Sequence, residues 1–255
     1  MTMPEPRLDD HAKELKTSIV FLTRLPFGRA TPITGADIAQ AVWAFPIAGI
    51  LIGLIGAAVY ALAHRVGLPA LPAAALTVAA TLAATGALHE DGLADTADGF
   101  GGGKTIERKL AIMRDSRIGT YGVCALALSI LLRVSALASL ADPALVAPAL
   151  IAAHGAARAT MPVLMYLVPP ARPDGLSFGV GAPPRASVAI AVALGILILV
   201  IGLGLAAGIA ALILLAIAIA LMAWLSITQI EGQTGDVLGA IEQVSEIVIL
   251  LVALR

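Results

Sequence analysis

The chain has 255 residues, of which 59% are hydrophobic and only 13% are Asp, Glu, Lys or Arg, and its mean hydropathy is +0.96. A soluble domain carries about a quarter charged residues, so a water-soluble globule is excluded and the length is read as bilayer crossings of about 20 residues each. A net charge of -1 with 4% aromatics offers no basic surplus for a nucleic-acid backbone, which excludes nucleic acid as a partner. The one cysteine, Cys124, has no disulfide mate and is read as a packing residue.

The first 16 residues are too polar and acidic for a secretory signal, so the N-terminus is expected to stay on the mature protein. Between Asp10 and Phe27, Leu15, Ile19 and Leu22 recur at helical spacing among Lys13, Lys16 and Arg24, which predicts a helix lying in the membrane interface and ended by Pro26. Six or seven apolar segments follow, at about 38–63, 69–88, 119–140, 144–168, 186–205, 207–228 and 240–254, bounded by charges, Pro or Gly. The run from Val188 to Ile227 is too long for one crossing and is broken near Gly202, Gly204 and Gly208. The last segment is short for a full span. Gly49 with Gly53, and Gly204 with Gly208, are read as close helix packing. With no repeat or linker, residues 1–255 form one domain: an all-α, polytopic membrane helix bundle with an N-terminal interfacial helix.

Cations set the expected orientation. Arg7, Lys13, Lys16, Arg24 and Arg29 precede the first crossing, and Lys104, Arg108, Lys109, Arg114 and Arg117 follow the second. Both groups belong on the cytoplasmic side. Seven crossings also place Arg172, Arg185 and the stretch from Gln229 to Glu246 inside, leaving Arg65 and Arg255 outside. A site facing the cytoplasm follows.

The most informative stretch runs from His89 to Gly99, within a region between Glu90 and Asp115 that holds six of the 17 acidic residues. At about 100° per residue, Asp91, Asp95 and Asp98 project at roughly 0°, 40° and -20°, so a helix would place all three on one narrow face. A divalent cation would relieve their repulsion, and hard oxygens without Cys select Mg²⁺ or Mn²⁺ over Zn²⁺. The plainer alternative is a solvated loop whose acids cap helices. Gly99, Gly101, Gly102 and Gly103 come next, then Lys104, Arg108, Arg114 and Arg117 interleaved with Asp115 and Ser116. An acidic cluster beside such a basic set suits a diphosphate, with Lys104, Arg108 and Ser116 as its contacts and Arg114 and Arg117 stabilising a departing phosphate. No Walker pattern is present.

A second polar island, Glu231-Gly232-Gln233-Thr234-Gly235-Asp236, precedes Glu242 and Glu246. Asp236 is a candidate to orient a hydroxyl as base or to complete a metal shell, with Asp98 as the other candidate base, and Thr234 is a candidate phosphate contact. A helix-capping turn is the competing account, with even weight for Glu242 and Glu246. His154 and Arg158 lie four apart in the fourth crossing. An intramembrane Arg is by default functional or a carboxylate's partner, while His154 is read as a packing or hydrogen-bonding residue.

Together, Phe21-Leu22-Thr23-Arg24-Leu25-Pro26, Phe45-Pro46-Ile47-Ala48-Gly49, the stretch from His89 to Gly99, Met113-Arg114-Asp115-Ser116-Arg117-Ile118-Gly119-Thr120 and Gly232-Gln233-Thr234-Gly235-Asp236 resemble the cobalamin synthase family, the adenosylcobinamide-GDP ribazoletransferases. The motifs keep their order across nearly the whole chain and are specific jointly. Glu90 stands where the family resemblance leads one to expect an apolar residue, and Glu231 where a Gly is common.

The resemblance implies a multi-pass prokaryotic cell (inner) membrane enzyme that joins adenosylcobinamide-GDP to α-ribazole, or its 5′-phosphate, and releases GMP with Mg²⁺ in the last steps of cobalamin biosynthesis. On that basis a metal sits on Asp91, Asp95 and Asp98, and the ribazole 3′-hydroxyl attacks the cobinamide-linked phosphorus. A homo-oligomer is left open. Two rivals are a corrinoid or phosphate-solute transporter, which should show broken helices in paired halves, and a membrane phosphotransferase acting on CDP-alcohols. The latter's Asp-x2-Asp-Gly-x2-Ala-Arg continuation is not matched by the spacing of Asp91 and Asp95.

Overall fold

A computed structural model describes residues 8–28 and 32–255; Arg7 and Arg29, used above for orientation, lie outside the described residues. The first helix, α1 (Leu8–Leu22), buries Leu22 and leaves Leu15 and Ile19 half-buried, so the expected apolar stripe exists. It stops four residues before Pro26, where the Thr23 hydroxyl donates to Ile19 O. Thr34 and Asp37 then form a capping box that starts α2 (Gly35–Ala41), which runs through a 3-10 turn (Val42–Ala44) into α3 (Phe45–Arg65). These 31 residues form one continuous apolar rod.

The next helix, α4 (Ala70–Thr85), ends at Gly86 and Ala87, both with left-handed backbone (φ 67° and 56°). Two such residues in succession turn the chain by 91° into α5 (Leu88–Gly102). The expected second crossing therefore ends at Thr85, and the acidic motif beyond it is a helix at a steep angle to α4. Arg24 is fastened to the outside of this bend, its N–H donating to Ala84 O at 2.7 Å. The short α6 (Ile106–Ile112) follows, then α7 (Thr120–Leu140) and α8 (Pro143–Leu167), which carries Pro148 and Pro162 inside it.

After the short α9 (Leu176–Val180), the long apolar run divides into α10 (Arg185–Leu203) and α11 (Leu205–Ile230). The break falls at Gly204, with φ 79°. Thr234 caps α12 (Gly235–Val252). Among the described residues, five segments are long and apolar enough to span a membrane: Gly35–Arg65, α7, α8, α10 and α11. A sixth is reached if α4 with α5 makes one broken span. The predicted seventh, α12, is not among them, because Glu242 and Glu246 interrupt its apolar face. It is instead packed against α5, α8 and α11 within the bundle.

The core lies where α3 and α10 clasp α8. Gly49 and Gly53 make that approach, since a Cβ would lie 2.1 Å from His154 O at the first and 2.7 Å from Ile151 Cα at the second. The predicted twin of this motif is different. Gly204 is the turn residue between two helices, and a Cβ at Gly208 would come no nearer than 3.4 Å to Val200, an ordinary contact. Gly49→Ala should therefore lower the thermal midpoint of the detergent-purified protein by an amount corresponding to about 1–3 kcal/mol of overpacking, while Gly208→Ala should leave it unchanged. Equal midpoints for the two variants would remove the close-packing role of Gly49.

Candidate active site

The acidic motif and the second polar island meet where α5 crosses the start of α12. Two glycines permit the crossing: a Cβ at Gly92 would lie 2.8 Å from Asp236 O, and one at Gly239 3.1 Å from His89 O. Asp236 is thereby brought beside Asp91 and Asp95, which project from α5. Burial, followed by the charges of Asp91, Asp236 and Asp98, pushes the Asp95 carboxyl up to about 7 against the opposing pull of Arg172. Burial also raises Asp236, whose Oδ2 accepts from the Thr234 hydroxyl at 3.1 Å. Both acids lie outside the five spans.

Arg172 is the cation of this group, with Nη2 3.8 Å from Asp236 Oδ2 and a buried Nη1 that has no partner among the described residues. It comes from the loop after α8, which is pinned against the turn before α12: Ala171 N donates to Gln233 O at 2.8 Å and Gln233 N to Pro169 O at 2.9 Å. A sequence reading that used Arg172 only for orientation missed it. Its signal is an Arg set among Pro169, Pro170 and Pro173, in a loop too stiff to wander.

The other predicted residues are placed differently. Asp98 is 7% exposed, and its two oxygens accept from Gly119 N at 2.6 Å and Gly122 N at 2.9 Å, so it caps the start of α7. Thr234 is buried and caps α12 through Val237 N, where a phosphate contact was expected. Arg114 pairs with Asp174, and Arg117 with Asp115 at 2.7 Å. The hydrogen bonds from Arg117 hold the Asp115 carboxyl at about 2. Lys104, Arg108 and Ser116 are exposed, and Lys109 donates to Gln229 Oε1 at 2.6 Å. Arg114, Arg117 and Lys109 thus engage Asp174, Asp115 and Gln229 rather than the aspartates of α5.

A buried ionic network lies behind the aspartates. Arg133 Nη1 of α7 reaches Glu90 Oε1 of α5 at 2.9 Å and Glu246 Oε1 of α12 at 3.3 Å. Arg158 Nη1 of α8 reaches Glu242 Oε1 at 2.7 Å, and His154 Nδ1 reaches Glu246 Oε2 at 3.1 Å. Glu242 and Glu246 are therefore ion-pair partners, and His154 is the hydrogen-bonding residue it was expected to be. Among the described residues, His154, Glu242 and Glu246 are also the one trio whose ligand atoms all lie within 4.8 Å of one another. Asp91, Asp95 and Asp98 share a face but are not drawn together to that extent.

The donor set for a divalent cation is nevertheless of the right kind. Four carboxylates (Asp91, Asp95, Asp98 and Asp236) share one electrostatic neighbourhood with one guanidinium, Arg172. Carboxylate oxygens without a Cys or a second cation among them are the kind of donor that a hard divalent ion takes.

An acidic, oxygen-rich centre in an α-helical membrane bundle suits an enzyme that handles phosphate esters. The family model described as Cobalamin-5-phosphate synthase matches residues 14–254, and the chain belongs to that family. It is similar to proteins named adenosylcobinamide-GDP ribazoletransferase from three bacteria. Identity is 60% with that of Bradyrhizobium diazoefficiens over 240 residues, 94% of this chain and 92% of the relative. It is 53% with that of Mesorhizobium japonicum over 250 residues (98% and 94%) and 48% with that of Azorhizobium caulinodans over 222 (84% of each). No solved structure matches the chain.

Removing one partner of a buried ion pair leaves a charge stranded in the bundle. Arg133→Ala should destabilise the protein by ~3–5 kcal/mol, read as loss of the folded form on heating in detergent, whereas Arg117→Ala at the surface should have no measurable effect. A neutral Arg133→Ala would show that the network adds nothing to the fold.

Proposed function

We propose that this chain joins adenosylcobinamide-GDP to α-ribazole, or to its 5′-phosphate, giving adenosylcobalamin or its 5′-phosphate and GMP. The observation that carries the reading is membership of the cobalamin-5-phosphate synthase family together with Asp91, Asp236 and Arg172 around one cavity, with Asp95 beside them. The ribazole hydroxyl forms the new bond to the cobinamide-linked phosphorus. The bond from that phosphorus to the bridging oxygen of the diphosphate breaks, and GMP departs with that oxygen.

Asp236 is placed to orient the attacking hydroxyl and accept its proton. Burial raises its pKa, which makes its carboxylate a stronger proton acceptor. Arg172 binds and orients the diphosphate, and its unpaired Nη1 is free for a phosphate oxygen. Asp91 and Asp95 would hold Mg²⁺, with the remaining lone pairs of Asp98 as a further contribution. The ion, when bound, neutralises diphosphate charge and favours departure of the nucleotide. Lys104, Arg108, Arg114, Arg117 and Ser116 form an exposed polar apron that draws anionic substrate towards the site.

The protein is a multi-pass membrane protein, as its spanning segments require. We place it in the bacterial inner membrane with the aspartates facing the cytoplasm, on the argument that Lys and Arg gather at that end.

Purified protein in detergent with Mg²⁺, adenosylcobinamide-GDP and α-ribazole or its phosphate should yield complete corrinoid and GMP by chromatography. Product formation should stop on chelation and resume when Mg²⁺ is restored. Asp95→Asn should abolish turnover while leaving the amount of protein in the membrane unchanged. Arg172→Ala should cost about 100-fold or more in kcat, as loss of a group aimed at developing charge does, whereas Arg114→Ala should cost far less. Wild-type protein that makes no product with either nucleotide form would overturn the reading.

A further inference from the structure

A cavity of about 200 Å³ opens beside the aspartates, and it is two-faced. Asp91, Asp236, Arg172 and His89 line it together with carbon and sulfur walls from Phe21, Phe45, Met161, Met165, Leu176 and Val180. The Phe21 and Phe45 rings lie tilted at 31° with centroids 6.0 Å apart. Resting on the proposed transfer reaction, we infer that this cavity is the subsite for the flat, bicyclic base of the acceptor nucleoside, with its ribose turned towards Asp91 and Asp236.

Size and chemistry choose this occupant over the other groups the reaction brings. The volume falls below the ~300–1,000 Å³ typical of pockets for drug-sized ligands, which rules out a corrin ring and accommodates one small bicycle. Guanine, on the donor, carries an edge of hydrogen-bonding groups, and burying that edge against Phe, Met and Val without partners costs several kcal/mol. The benzimidazole-type base of ribazole has no exocyclic hydrogen-bonding group and leaves a single ring nitrogen to be desolvated, so it loses less against such walls. Discrimination then comes from the walls themselves, because a purine would leave its polar edge unmet.

Two polar groups on the wall are left for the sugar and the phosphate it attacks. His89 is 3% exposed, and its Nε2 has no partner among the described residues. Its Nδ1 is occupied, lying 3.3 Å from both Arg158 Nη2 and Glu242 Oε2. A ribose hydroxyl both donates and accepts, so it satisfies Nε2 in either tautomer. Arg172 Nη1 is the second such group, and the phosphate it holds is that of the diphosphate which the ribose hydroxyl attacks. The apolar wall thus fixes the base and the polar wall fixes the sugar, which presents its hydroxyl to Asp236.

The test is binding rather than turnover: equilibrium dialysis of α-ribazole, and of adenosine for comparison, against detergent-purified full-length protein without the donor substrate. Wild type should retain α-ribazole at least about tenfold more tightly than adenosine, a difference of ~1.4 kcal/mol. Met165→Trp fills the cavity and should weaken α-ribazole binding about tenfold or more. Leu176→Trp should do the same from a wall residue that is 52% exposed, where the fold tolerates the larger side chain. In turnover, each variant should raise KM for α-ribazole and leave KM for adenosylcobinamide-GDP within about twofold of wild type.

Wild type that binds no α-ribazole, wild type that binds adenosine equally well, or a folded Leu176→Trp that binds α-ribazole as wild type does would each overturn the subsite. A rise in KM for the donor instead would assign the cavity to adenosylcobinamide-GDP and likewise overturn it. Intact α-ribazole binding without turnover by wild type would sink the transferase reading and leave the subsite standing.

Discussion

Charge buried inside an apolar bundle must be matched within a few ångströms, because the surrounding side chains offer it nothing. Here three carboxylates, Glu90, Glu242 and Glu246, meet two guanidinium groups, Arg133 and Arg158, with the ring nitrogens of His89 and His154 among them. The pairing joins α5, α7, α8 and α12. Each of these helices could slide or rotate against its neighbours at little cost if only Ala and Leu packed the seam. The ion pairs remove that freedom, since a rotation of one residue would carry a charge into an apolar face. With Glu90 turned inward, its neighbour Asp91, about 100° further round the helix, falls on the cavity wall. Because Glu242 and Glu246 face the arginines, Asp236 is held at the mouth of the same helix. The carboxylates proposed for the chemistry inherit their placement from the ion pairs behind them.

Much of this architecture was written in local pattern. The spans and the break at Gly204 follow from apolar run length and from glycine, and the helical spacing of Asp91, Asp95 and Asp98 is real because α5 is a helix. The 91° turn at Gly86 and Ala87 was not legible, because nothing in the sequence marks Ala87 as left-handed. The pairs Glu242 with Glu246 and His154 with Arg158 were visible as spacings of four, yet the sequence does not say which helix faces which. Glu90 looked like a departure of no consequence. It is the partner of Arg133, itself a lone cation in an otherwise apolar span. Glu231 shows the opposite case: with φ 58° it holds a conformation that glycine adopts freely, so the position matters through its backbone.

Proximity in sequence misled most over the basic residues. Arg114 and Arg117 follow the acidic motif closely, and their fork geometry suits phosphate. A flexible surface stretch that alternates sign at spacings of two or three neutralises itself first, as Asp115 with Arg117 shows. Arg172 escapes this because Pro173 separates it from Asp174 and limits the local backbone, and Asp174 is taken by Arg114. Arg172 is thus a cation at the cavity that keeps a donor to spare, because its neighbours in sequence cannot quench it. Asp98 follows the same logic with the sign reversed. A carboxylate that already accepts two backbone N–H groups has fewer lone pairs for an ion than Asp91 or Asp95, so what reads as three equivalent aspartates divides into two that face the cavity's side of the helix and one that anchors α7. Equivalence in spacing does not survive the backbone's own demand for partners, and the acids with the least local competition are the ones left for chemistry.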